Sequence, residues 1–153
     1  MSANKFDTII QGATIYDGEG RNSFCADVGI LGDKIIEIGD LNTECSNVIK
    51  AQGLALMPGI IDVHTHYDAQ ITCDPTLSPS PSMGVTTGVM GNCGVGIAPC
   101  PPEHQEIMLK NLSVVEGMNL KTLLEGTEWK FDSFPEYLKF IDKQRPHANV
   151  AVL

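Results

Sequence analysis

The stretch from Pro58 to Asp68, PGIIDVHTHYD, limits what this chain can fold into more than any other. Pro58-Gly59 ends whatever precedes it. Ile60, Ile61, Asp62 and Val63 then read as a short buried strand, β-branched and mostly apolar. His64 and His66 follow at its C-terminal end. Side chains alternate along a strand, so Ile60, Asp62, His64 and His66 share one face. Two imidazoles about 6–7 Å apart along a strand can converge on one metal ion, and neutral imidazole is the commonest nitrogen ligand. His-x-His alone fits a pair of surface residues on an edge strand equally well. The context favours the metal: barrel active sites sit at strand C-termini, and Asp62 on the same face is costly to bury without a role.

Charge excludes other classes of function. The 153 residues carry 19 acidic and 10 basic side chains, a formal net charge of -9. That argues against nucleic acid and anionic membrane as partners. The start, MSANKFDTII, has no apolar leader core. No apolar run approaches the ~18–20 residues of a membrane helix. Cys25, Cys45, Cys73, Cys93 and Cys100 are odd in number and irregular in spacing, which suits reduced thiols and a cytoplasmic location.

Residues 1–57 read as a β module. Phe6 to Ile10 and Gly12 to Tyr16 are the first two expected strands, and Asp17-Gly18-Glu19-Gly20 a turn. Cys25 to Leu31, Gly32-Asp33 and Lys34 to Ile38 form a hairpin signal. Val48 to Lys50 and Leu54 to Leu56 add short strands, as in part of a sandwich or small barrel.

Residues 58–153 read differently. Ala69 to Met83 is a loop, since Pro75, Pro79 and Pro81 forbid a regular helix. Gly84 to Met90 is a second buried strand, followed by the glycine-rich turn GNCGVG. If the strands are parallel, Cys93 lies level with His64 and His66. A helix is expected from Pro101 to about Glu116, with apolar Ile107, Leu109, Leu112, Val114 and Val115 and a cap at Gly117. Leu120 to Leu124 is a short helix. Ser133 and Glu136 form a capping box ahead of a face made by Phe134, Tyr137, Leu138 and Ile141. Ala148 to Leu153 begins a third buried strand. Strand, loop, strand, helices, strand is the start of a parallel α/β architecture, and the chain reads as an N-terminal fragment of a larger protein.

PGIIDVHTHYD resembles the Pro-Gly-x-x-Asp-x-His-x-His signature of the amidohydrolase superfamily. GVTTGVMGNCGVGIAPC and EWKFDSFPEYLKFID resemble its N-acyl-D-amino-acid deacylase (D-aminoacylase) branch. IYDGEG and GDKIIEIG resemble that branch's N-terminal half-sandwich. Lys50 departs from the pattern, where an acid is usual. The resemblance implies the first strands and helices of a TIM-type (β/α)8 barrel preceded by a β-sandwich portion. It implies a zinc-dependent hydrolase of non-peptide amide C–N bonds acting on a small N-acyl-D-amino acid. His64, His66 and Cys93 match metal ligands, with Cys93 serving the tightly held Zn2+, and Asp62 matches the signature's supporting acid. The general-base aspartate and two further histidines are expected beyond residue 153, so no catalytic residue is assigned here and the chain alone is expected to be inactive.

Two alternatives stand beside the enzyme. His64, His66, Cys93 and Cys100 could form a closed four-ligand zinc site in a small non-catalytic module, although tight Cys-x2–4-Cys knuckles are absent. A truncated relative could bind metal or ligand without turnover. His104 and His147 read as surface residues, and Trp129 and Tyr137 as packing residues. Tyr67 and Asp68 are candidates to line the pocket.

Overall fold

A computed structural model describes residues 6–153. The reading of residues 1–10 as lacking a leader core lies partly outside them. The chain divides between Pro58 and Gly59 into two compact units.

The first unit is one five-stranded sheet in the order β3-β2-β1-β4, with β5 also on β1. Its strands are β1 (Thr8–Ile15), β2 (Phe24–Leu31), β3 (Lys34–Gly39), β4 (Asn47–Lys50) and β5 (Ala55–Leu56). The two strands expected over residues 6–16 are one. The register shifts between Ile10 and Ala13, and Gly12 takes φ +72° there. The glycine that looked like a break is a bulge, and the strand runs through it. The Asp27 carboxylate accepts the Gly12 N–H at 2.8 Å and the Leu41 N–H at 3.2 Å, so the bulge leaves its amide satisfied. The β2–β3 hairpin forms as its turn residues require, with Gly32 at φ +62°.

The second unit is a parallel sheet, β6-β7-β8, built from β6 (Ile60–Asp62), β7 (Val85–Met90) and β8 (Asn149–Val152). Two short 3-10 turns interrupt the loop between β6 and β7, at Gln70–Thr72 and Ser80–Met83. Between β7 and β8 come α1 (Gln105–Glu116), α2 (Leu120–Gly126) and α3 (Phe134–Gln144). Ile71, Leu77, Met90, Ile97, Leu109, Leu112 and Tyr137 are central to its core. The architecture is mixed α/β, and the described strands do not close a barrel.

The burial expected of β6 and β8 fails for one reason. Ile60, Ile61 and Val63 are 49%, 62% and 69% exposed rather than buried, because β6, which ends just before Val63, is an edge strand paired with β7 alone. β8 is likewise only half covered. On α1, Leu109 and Leu112 are buried, whereas Ile107, Val114 and Val115 are exposed. An apolar residue is a licence for burial, and burial itself needs a neighbour. The capping box of α3 is present, with Glu136 accepting the Ser133 N–H at 3.1 Å and the Asp132 N–H at 2.9 Å. Tyr137 and Ile141 are buried, while Leu138 faces solvent. Asn119, unremarked in the sequence, caps α2 by accepting the Lys121 and Thr122 amides.

Candidate metal centre

The site grows from one carbonyl at the end of β7. Val89 C=O accepts the Thr65 N–H and the Thr65 hydroxyl, both at 2.9 Å, and the Asn92 side-chain amide at 2.8 Å. The His-x-His segment and the turn after β7 are therefore tied to the same backbone atom. Buried Thr65 is the inward residue between the histidines. With Thr65 pinned, His64 and His66 are held on either side of it, just past the end of β6 at Asp62. Asp62 accepts the His64 N–H at 3.2 Å, so the expected supporting acid holds the backbone of the first histidine.

Cys93 arrives on a left-handed turn. Gly91 has φ +82°, Cys93 φ +59° and Gly94 φ +67°. Two glycines adopt this region freely, and Cys93 between them does not. Its Sγ lies 3.0 Å from His64 Nε2. The His64 and His66 ring centroids are 5.3 Å apart at 64°. One ligand atom from each of His64, His66 and Cys93 falls within 4.8 Å of the others. A tetrahedral zinc site with these donors needs separations of about 3.5 Å. The cluster is that size to within small side-chain rotations, and its soft thiolate with two imidazoles suits zinc. His64 and Cys93 are exposed and His66 half-buried, so an ion has access.

Cys100, the fourth member of the closed-site alternative, lies outside this cluster. Burial also pushes its thiol up, away from thiolate. The four-ligand module is not assembled among the described residues. His104 and His147 are on the surface, and Cys25, Cys45 and Cys73 are free thiols away from the cluster.

Tyr67 lines the cleft beside the histidines, whereas Asp68 lies behind it. Asp68 is wholly buried and its Oδ2 accepts the Gly91 N–H at 3.3 Å, which ties the Cys93 turn to the histidine segment a second time. Burial pushes its carboxyl above the usual aspartate range, partly offset by the Gly91 N–H. Tyr137 on α3 donates to the Asp68 carbonyl at 3.1 Å. The Tyr67 hydroxyl bonds that of Ser80 at 2.5 Å. Asp62, His64, His66, Tyr67, Ser80 and Glu116 line one cleft of about 210 Å3. Asp68 was within reach of sequence reasoning, two residues past His66. Glu116 carried no signal, being 50 residues further on at the end of a helix.

Residues 47–153 match the model of the amidohydrolase family. The chain belongs to that family. A D-aminoacylase of Alcaligenes xylosoxydans xylosoxydans is 33% identical over 149 residues, which span 97% of this chain and 28% of that protein. A solved D-aminoacylase structure, described by its binuclear metal centre, is 34% identical with TM-score 0.75 over 97% of this chain and 29% of that one. An N-acyl-D-glutamate deacylase from Bordetella bronchiseptica, solved with zinc and a phosphonate mimic of the tetrahedral intermediate, is 33% identical with TM-score 0.74, again over 97% and 29%. The amidohydrolase chain described here thus spans under a third of the length of these relatives.

Proposed function

We propose that this chain carries the metal-binding opening of a zinc-dependent amidohydrolase that removes the acyl group from N-acyl-D-amino acids. The observation that carries the reading is the convergence of His64, His66 and Cys93, in the segments that follow the neighbouring parallel strands β6 and β7, within 4.8 Å. Likeness to D-aminoacylase and N-acyl-D-glutamate deacylase supports the substrate class.

Cys93 brings a full negative charge to the ion and a Zn–S bond of about 2.3 Å, while His64 and His66 bring neutral nitrogens. When bound, zinc supplies Lewis acidity toward an acyl carbonyl and lowers the pKa of a coordinated water. Asp62 fixes the direction of His64 through its backbone N–H. Thr65 and Asn92 fix the two ligand segments on Val89. The cleft beside the histidines, with the Tyr67–Ser80 hydroxyl pair on its wall, gives a small polar acyl-amide a place to lie. The proton-transferring carboxylate of the reaction belongs to no residue assigned in this chain.

Metal content tests the reading. In the intact protein Cys93→Ala should lose the tightly held zinc, and His64→Asn with His66→Asn should keep roughly one ion when native mass spectrometry counts it. Zinc retained by Cys93→Ala and lost by the histidine pair would show that Cys93 is wrongly assigned.

A further inference from the structure

A carboxylate enters the histidine cleft from the far end of α1. Glu116 is the last residue of that helix, and Gly117 turns the chain away at φ +63°. Glu116 lines the same cleft as His64 and His66. Its Oε1 is buried and has no hydrogen-bond partner among the described residues, and the same is true of His66 Nδ1.

Each of these atoms is unfavourable alone. A desolvated carboxylate oxygen wants a donor, and a helix C-terminus is where the macrodipole least favours negative charge. One contact answers both. An imidazole that gives one ring nitrogen to a metal carries its proton on the other, and that proton ordinarily finds a carboxylate or carbonyl.

Two other acids stand near the site. Asp62 also lines the cleft, but its Oδ1 accepts the His64 N–H. Asp68 has an unpartnered Oδ1 too and lies near enough to His66 to interact with it electrostatically. That oxygen faces the Cys93 turn, 3.8 Å from where a Gly96 Cβ would stand, and Asp68 is not part of the cleft wall. Tyr67 and Ser80 bond each other. Glu116 is the cleft's remaining carboxylate with a buried, unpartnered oxygen.

The geometry points to Glu116 as the positioning residue of His66: on a side-chain rotation within the shared cleft its carboxylate accepts the Nδ1 proton, and so reserves Nε2 for the metal. The inference rests on the reading of His66 as a ligand and adds the group that sets its tautomer.

Two measurements on the chain of residues 1–153 test it. Imidazole 15N NMR of the metal-free protein reads the tautomer without any ion. Wild type should show His66 protonated at Nδ1, and Glu116→Ala should move it toward Nε2–H. Glu116→Gln keeps an acceptor and should hold the wild-type tautomer. Cobalt(II) titration, followed by the thiolate-to-cobalt absorption of Cys93, reads affinity. Glu116→Ala should bind about 10–100-fold more weakly, the usual effect of losing such a partner, and Glu116→Gln should fall between. Glu125→Gln removes an equal charge from an exposed carboxylate beside Lys121 and should change neither readout.

An unchanged tautomer together with unchanged cobalt affinity in Glu116→Ala overturns the inference. If Glu116→Ala does not fold, wild-type cobalt affinity in Glu116→Gln overturns it instead. A wild-type chain that binds no cobalt sinks the ligand reading, and the tautomer measurement then decides the His66–Glu116 pairing by itself.

Discussion

Replacing Tyr137 by Phe removes one hydroxyl from a side chain that is 1% exposed and touches the site through a single bond. That hydroxyl donates to the Asp68 carbonyl at 3.1 Å. The ring keeps its packing on Phe131, whose centroid is 4.7 Å away, so no large cavity opens. What changes is the hydrogen bond itself and the carbonyl it leaves behind. A net hydrogen bond contributes about 0.5–1.5 kcal/mol, and a buried acceptor left without a partner costs about 1–3 kcal/mol. Asp68 is wholly buried, which places the expected loss in the upper range, about 2 kcal/mol. That is a change of roughly 30-fold in the unfolding equilibrium. Trp129, the sole tryptophan, sits 6.0 Å from Phe131, so urea unfolding followed by its fluorescence reports on this unit. The expected result is a lower midpoint at unchanged slope. A midpoint within about 0.3 kcal/mol of wild type would mean that α3 is not braced against the histidine segment through this bond, and the reasoning would fall.

Two further expectations follow from other parts of the second unit. The Glu136 carboxyl is held below its ordinary value of 4.5, first by the Asp132 N–H and then by Ser133; a depressed pKa stabilises the folded state above 4.5 and loses that contribution as pH falls through the folded value. The midpoint difference between wild type and Glu136→Gln should therefore shrink on acidification from about pH 5 to pH 3, and a difference independent of pH would refute the cap's electrostatic role. Cys93→Gly should unfold at higher urea than Cys93→Ala, by about 1 kcal/mol, because glycine relieves the left-handed backbone and alanine does not; equal midpoints would show that the turn is unstrained.

What was legible in the sequence was local. Ser133 and Glu136 announce the start of α3 because a capping box is satisfied within four residues. Gly32-Asp33 announces a hairpin for the same reason. The closeness of His64, His66 and Cys93 was legible because β6 and β7 are parallel neighbours and the three residues follow their C-terminal ends, although strand alternation itself stops at Asp62. Burial was not legible: Ile60, Ile61 and Val63 read as core, yet edge strands of a three-stranded sheet have few neighbours. Glu116 was invisible because helix α1 brings it to the histidines from a remote part of the chain, and no periodicity encodes that approach. Gln11-Gly12 looked like a break because a bulge and a turn use the same residue.

The turn 91–94 shows how the site takes precedence over local preference. Asn tolerates the left-handed region better than Cys, and Asn92 is available one position earlier. The backbone nevertheless places Cys93 at φ +59° and ψ +13°, at a cost of about 1–2 kcal/mol for a non-glycine residue. Such a conformation persists only when its surroundings over-determine it. Here they do so from three sides. Gly91 donates to Asp68, Asn92 donates to Val89, and the Val95 N–H closes the turn on the Asn92 carbonyl at 3.1 Å. Two of these anchors, Asp68 and Val89, are also anchors of the histidine segment, since Thr65 bonds Val89 and Asp68 follows His66 by two residues. The thiol and the imidazoles are thus referenced to the same two residues, and a shift of one segment carries the other with it. That coupling, rather than the rotamer of any one ligand, is what keeps three donors from two post-strand segments within bonding range of a single ion.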